Sequence, residues 1–191
     1  SLEHLLTLSL EDLLNVNIET ASKYSQKTID AAAIVEVITD KDIEKYGANS
    51  LLEVLDRATS ISMSGTFFFP QNSASMRGGL STGADHHVLL LLNGRPLRDS
   101  FTGGESFSFY TSMPLQLIKQ IEIVRGPGSV LYGSNAFTGV INIITKKASD
   151  VQSQISLAKG SFNTSIIRAS SAIKTNDLEL SVGLHWLNEN G

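Results

Sequence analysis

The stretch IEIVRGPGSVLYGSNAFTGVINIITKK, residues 121–147, decides the fold. Two β-branched runs, IEIV and VINIIT, flank a segment that holds Gly126, Gly128, Gly133 and Gly139. Val and Ile suit a pleated backbone, so each run reads as a strand. Glycine reaches positive φ and lets backbones approach closely, so the segment between them reads as a sharply turning, tightly packed connection. Arg125 stands where the first run stops. A guanidinium drawn into a packed interior needs a partner, because a buried unpaired charge is strongly destabilising. RGPGSVLYG lacks the Gly-Lys-Ser/Thr of a phosphate-binding loop.

Upstream, AIVEVI (33–38) reads as a strand. Thr39 then heads TDKDIEKYG, with Asp42 three residues on and Gly47 at the end. That is the pattern of a capping box and a glycine C-cap. Ser50 and Glu53 repeat it before LLEVLDRA, so two short helices follow the strand. Residues 59–110 are rich in turns and hold three strand-like runs: SISM (60–63), ASMR (74–77) and HVLLLLNG (87–94). The run 88–92 is apolar on both faces and predicts a central strand covered on both sides. Asn93-Gly94 signals a turn. MPLQLIK (113–119) reads as a short helix leading into IEIV. Leucines at 2, 5, 6, 10, 13 and 14 have helical spacing, and the polar segment that follows reads as a linker.

Downstream of Asp150 the pattern changes to longer strands with polar turns at GSFNTS (160–165) and KTND (174–177). In LELSVGLHW (178–186), Leu178, Leu180, Val182, Leu184 and Trp186 share one face, and Glu179, Ser181, Gly183 and His185 the other. Such alternation fits a half-exposed strand of a soluble sheet, and equally a tilted membrane-spanning strand with an interfacial aromatic.

Composition narrows the function classes. Apolar residues make up 41%, enough for a packed core. The net charge of −4 argues against a nucleic-acid partner. The absence of cysteine removes disulfide scaffolds and thiolate metal sites. The first residues lack a basic n-region and carry Glu3, Glu11 and Asp12, so they do not read as a secretory signal. The longest apolar run, 88–92, is far shorter than the roughly 20 residues of a membrane helix. Asp85-His86-His87 is the one acid–histidine cluster, but adjacent strand residues point to opposite faces, so a solvated turn is favoured over a metal site. No nucleophile elbow or paired base appears, and an enzyme is not expected. No cofactor and no metal are expected.

The 121–147 stretch resembles the closing signature of the plug domain of TonB-dependent outer-membrane receptors, which has the form I-E-V-x-R-G-P-x-S-x-L-Y-G-x-x-A-x-x-G-V-I-N-I-I-T-K. The order AIVEVITDKDIEKYGANSLLEVLDRA, SMRG, LLLLNGRPL, MPLQLIKQIEIVRGP extends the resemblance over about residues 16–147. The chain departs from the family in reading ATSIS (58–62) where Pro-Gly-Val is common, and Asn93-Gly94 where Asp-Gly is common. The resemblance implies an α+β fold: a compact mixed-sheet plug with short helices, followed by antiparallel strands of an incomplete transmembrane barrel. The implied organisation is an N-terminal helix and periplasmic linker (1–32), a plug (33–148) and first barrel strands (149–191). The barrel is expected to continue beyond Gly191, since plugged transporters have about 22 strands.

The resemblance also implies sites. Val16, Asn17, Ile18, Glu19, Thr20 and Ala21 fall where the family carries its TonB box, which adds as a strand to the TonB C-terminal domain. Thr20-Ala21 matches the usual ending, and Glu19 replaces a usual valine. Arg77 and Arg125 fall where plug arginines pair with glutamates on the inner barrel wall. The apical loops 64–74, 79–87 and 98–110 would touch ligand through Phe67, Phe68, Phe69, Gln71, His86, Phe101, Phe107 and Tyr110. Their aromatic rings could stack on a flat ligand, or pack against barrel loops.

The implied function is energy-coupled import across the outer membrane of a scarce nutrient such as a ferric siderophore, haem or cobalamin, with the N-terminus periplasmic. The alternative is a periplasmic or surface binding or signalling module that reuses the plug without transport. The strands after 150 are expected either to pair with another copy of the chain or to fold back over the plug, with Arg77 and Arg125 turning to water, internal carboxylates or backbone carbonyls.

Overall fold

The computed structural model describes residues 34–64, 73–76, 78, 87–98, 108–126, 132–133 and 136–189, and the backbone alone of 17–18 and 26–27. The helix expected over 2–14 lies outside the described residues.

A two-residue ladder pairs β1 (Asn17–Ile18) with β2 (Gln26–Lys27). The first long strand is β3 (Ile34–Thr39), one residue later than expected, and it runs directly into α1 (Asp40–Tyr46). The expected capping box is formed in full: the Thr39 side chain accepts from the Asp42 backbone, and the Asp42 carboxylate accepts from the Thr39 backbone at 3.0 Å. Gly47 closes α1 at φ 61, a left-handed conformation that favours glycine. Ser50 caps α2 (Leu51–Asp56). Here the reciprocal half differs, because Glu53 accepts from Asn49 N at 3.0 Å. The carboxylate thereby fixes the turn between the two helices.

Next come β4 (Ile61–Ser64) and β5 (Ser73–Met76), an antiparallel pair with Ile61 opposite Met76. The turn before β4 places Ser60 at φ 65, within the ATSIS stretch that departs from the family's Pro-Gly-Val. β6 (Val88–Leu92) and β7 (Arg95–Pro96) make a hairpin across Asn93-Gly94. Both turn residues have positive φ, 50 and 76, as a two-residue turn of the I′ kind requires. Asn93 serves there in place of aspartate: its Oδ1 accepts from Thr145 N at 2.9 Å.

The expected helix over 113–119 is replaced by α3 (Phe109–Ser112), a single 3₁₀ turn over Leu115–Leu117, and β8 (Ile118–Arg125). Met113 and Pro114 are extended, which interrupts a helix, and Ile118 is claimed by the sheet, where it is fully buried. β9 (Gly139–Thr145) completes a five-stranded sheet of order β3-β8-β9-β6-β7. β8 runs antiparallel to β3 and β9, and β6 runs parallel to β9.

The core explains the doubly apolar run. Val88 and Leu90 join the cluster formed with the helices, including Ile43, Leu51, Leu55 and Ile141. Leu89 and Leu91 join a second cluster on the other face with Val124, Ala136 and Val140. Each such side chain contributes about 1.5–3 kcal/mol when withdrawn from water. Gly139 sits where β9 starts. A Cβ there would lie 2.3 Å from Met76 Sδ and 2.7 Å from the Val124 carbonyl oxygen. At this position the opening stretch needs glycine for lack of space.

Beyond a 3₁₀ turn at Ala148–Asp150, β10 (Gln154–Lys159), β11 (Ser165–Lys174) and β12 (Glu179–Asn188) form a separate antiparallel sheet in chain order. Phe162 and Asn163, both at φ 55, make the first of its turns. One face carries Ile155, Leu157, Ile173, Leu180, Val182, Leu184 and Trp186, all exposed. The opposite face lies over the plug, one of the two arrangements expected.

Candidate functional site

Three places bear on function: the surface between the plug and the three-stranded sheet, the surroundings of Arg125, and the N-terminal ladder.

The first is built by the 114–117 turn. Gln116 Nε2 donates to the carbonyls of Ala169 and Leu184, each at 2.9 Å. Those two residues face one another in the β11–β12 register. The side chain therefore bridges two neighbouring strands. Gly183 supplies the clearance beside it, since a Cβ there would lie 2.7 Å from Leu117 Cδ1 and 3.0 Å from Pro114 Cβ. Arg168 on β11 reaches the loop between α1 and α2, donating from Nη2 to Asn49 Oδ1 at 2.6 Å. Between α1 and strands β10 and β11 lies a cavity of about 320 Å³ lined by Asp40, Glu44, Lys146, Gln154, Ser156 and Arg168 among others. Lys146 and Asp40 pair across it at 3.1 Å. The lining is of mixed charge. No group of three or more acids and histidines suited to a metal ion occurs among the described residues.

Sequence reasoning missed Asn49, Gln116 and Arg168. The one legible signal was Gly183, a glycine on the polar face of an otherwise well-formed strand.

Arg125 has its partners inside the plug. Its guanidinium pairs with Glu36 on β3 through Nη2, and Nε and Nη2 donate to the Thr59 carbonyl at 3.2 and 2.9 Å. Thr59 N in turn donates to Glu36 Oε1 at 3.3 Å. The pair is substantially shielded, with side chains 13% and 23% exposed. A charge is thus placed at a strand end without being left unpaired.

Of the expected apical contacts, Tyr110 is corrected. It is fully buried in the helix-side core, because α3 turns that ring inward against the cluster. It has no surface to offer a ligand. Phe67, Phe68, Phe69, Gln71, His86, Phe101 and Phe107 lie outside the described residues, as does Arg77. Of the expected TonB-contacting segment, Asn17 and Ile18 pair with Lys27 and Gln26, while Val16, Glu19, Thr20 and Ala21 lie outside the described residues.

A mixed-sheet globule covered by the polar face of amphipathic strands, whose apolar face points away, is the architecture of a plug inside a membrane barrel. No helix among the described residues is long and apolar enough to cross a membrane.

The comparisons with known proteins agree. The model of the TonB-dependent Receptor Plug Domain matches residues 27–140. The vitamin B12 transporter BtuB of Vibrio vulnificus (strain CMCP6) is 34% identical over 143 residues, covering 74% of this chain and 22% of the relative. That of Vibrio cholerae serotype O1 (strain M66-2) is 37% identical over 133 residues, covering 70% and 21%. The alcaligin outer-membrane receptor FauA from Bordetella pertussis superposes with a TM-score of 0.63 at 19% identity, over 86% of this chain and 27% of that one. The ferric-catecholate import receptor Fiu from E. coli K12 does so with a TM-score of 0.62 at 22% identity, over 87% and 23%. These two show the shared fold. The chain belongs to the TonB-dependent receptor plug family, whose members are outer-membrane proteins with the plug inside a barrel. It spans about a fifth of the length of the curated relatives it matches.

Proposed function

We propose that the chain is the plug and first wall strands of a receptor that imports a large, scarce nutrient, a corrinoid of the cobalamin class first, by TonB-driven rearrangement of the plug. The observation that carries this reading is the identity of 34% and 37% to vitamin B12 transporters across most of the chain. Ferric chelates are the second ligand class. The aromatic segment 66–70 and Phe101 and Phe107 suit a flat or aromatic ligand, which either class offers.

In this reading, Phe67, Phe68, Phe69, Gln71, His86, Phe101 and Phe107 contact ligand at the apical face. Residues 16–21 pass to the TonB C-terminal domain by strand addition, which requires the β1–β2 ladder to open. Arg77 and Arg125 meet acidic groups of the inner wall. The plug is residues 33–148 and the wall begins at 149. The reaction is conformational, with no bond made or broken. Proton-gradient energy delivered through TonB converts a closed plug into an open one.

Uptake of labelled cobalamin and of labelled ferric chelates by cells carrying the full-length receptor, with and without TonB, tests the reading. Expected is cobalamin uptake that is lost without TonB. Uptake of neither class, or uptake indifferent to TonB, would contradict it.

A further inference from the structure

We propose that Glu36, Arg125 and the Thr59 carbonyl form a clasp that holds β3 in the sheet and sets how readily the plug begins to open. The proposal rests on the reading that TonB engages residues 16–21.

β3 is an edge strand of the five-stranded sheet, and among the described residues its ladder is made to β8 alone. The chain coming from the N-terminal segment enters β3 at Ile34, whose register partner is Arg125. A pull from the N-terminal side therefore loads the Ile34–Arg125 end first and would open the ladder one pair at a time toward Thr39. Ladder pairs opened in succession resist weakly, because each is lost separately.

The clasp sits at that first-loaded end. Arg125 binds Glu36 on the strand to be pulled and Thr59 in the loop after α2, and Thr59 N returns a bond to Glu36. Three segments distant in sequence close one ring. The edge strand cannot leave past Glu36 until several charge-assisted bonds give way together.

A second observation supports a purpose for this ring. Ser60, the residue after Thr59, holds a left-handed backbone at φ 65, uncommon for a side chain other than glycine or asparagine. That turn delivers the Thr59 carbonyl to the guanidinium. Strain of this kind persists where its surroundings enforce it, as at clamps and switches. Past the clasp the resistance changes in kind, since Ile38 is 2% exposed and the capped α1 follows without a linker. The geometry thus gives two stages: release of the clasp, then extraction of buried surface.

Hydrogen exchange of the full-length receptor in lipid vesicles tests this, with Glu36→Gln and Arg125→Lys as variants. Both are expected to speed exchange of the β3 amides (34–39) by roughly ten- to a hundredfold, as loss of hydrogen bonds to a charged group implies. Exchange over β9 (139–145) is expected to stay as in the parent, and the double variant to add little to either single one. In cells, the same variants are expected to raise entry of a large hydrophilic antibiotic only when TonB is present. Unchanged β3 exchange in both variants, or equal loosening of β3 and β9, would overturn the clasp even if uptake depends on TonB. Loosened β3 with uptake that ignores TonB would instead overturn the receptor reading, and the gating role with it.

Discussion

Gly139 and Ser60 show how single residues fix this plug. Gly139 has no room for a methyl group, because the Val124 carbonyl oxygen is a backbone atom and cannot swing aside as Met76 can. Gly139→Ala is therefore expected to destabilise the plug by about 1–3 kcal/mol through overpacking, read as faster hydrogen exchange across β8 and β9. Ser60→Gly is expected to do the reverse. It removes the steric penalty of a left-handed residue, about 1 kcal/mol less what glycine loses in the unfolded chain. The same exchange measurement reads it as slower opening near β4. At this scale the sequence was informative where a rule is local. Thr39, Asp42 and Gly47 announce their cap because the partners lie within eight residues. The Arg125 bond to Thr59 spans 66 residues, depends on loop geometry and leaves no trace in spacing.

Elements were legible in proportion to how far their own pattern decided them. β6 reads as a buried strand because five successive apolar residues need cover on both faces, as a strand between others receives. The 113–119 segment misled because Met113 and Leu117 stand four apart and Leu115 and Ile118 three apart, while Met113 and Pro114 are extended and the sheet claims Ile118 through tertiary contacts. β12 was readable as amphipathic but not as membrane-facing, since alternation is shared with soluble sheets. The sheet over the plug resolves that choice, because its polar face is the covered one. Leu184→Arg is therefore expected to hinder folding into the bilayer by about 2–4 kcal/mol if the residue sits near the midplane. Gel-shift folding assays of the full-length receptor in lipid would show it, and folding equal to the parent would count against a lipid-facing Leu184. Gly183→Leu acts on the opposite face. It would collide with Leu117 and Pro114 and is expected to separate the wall from the 114–117 turn. Cross-linking between these segments should fall, with β12 still formed.

For the molecule as a whole, the family was legible because the 121–147 signature bundles several requirements: two paired strands, a close glycine and a charge with an internal partner. Ligand contacts were not legible, because they depend on side chains gathered from separate loops. Tyr110 illustrates the difficulty: an aromatic beside an apical loop belongs to the core once α3 turns it inward. In the proposed mechanism, force enters this plug through residues 16–21 and travels into β3. Nutrient uptake by cells carrying the full-length receptor with Ile18→Pro decides whether it does. Proline removes a backbone donor needed for strand addition. Uptake is expected to be abolished while ligand binding at the cell surface is retained. Undiminished uptake by that variant would contradict it.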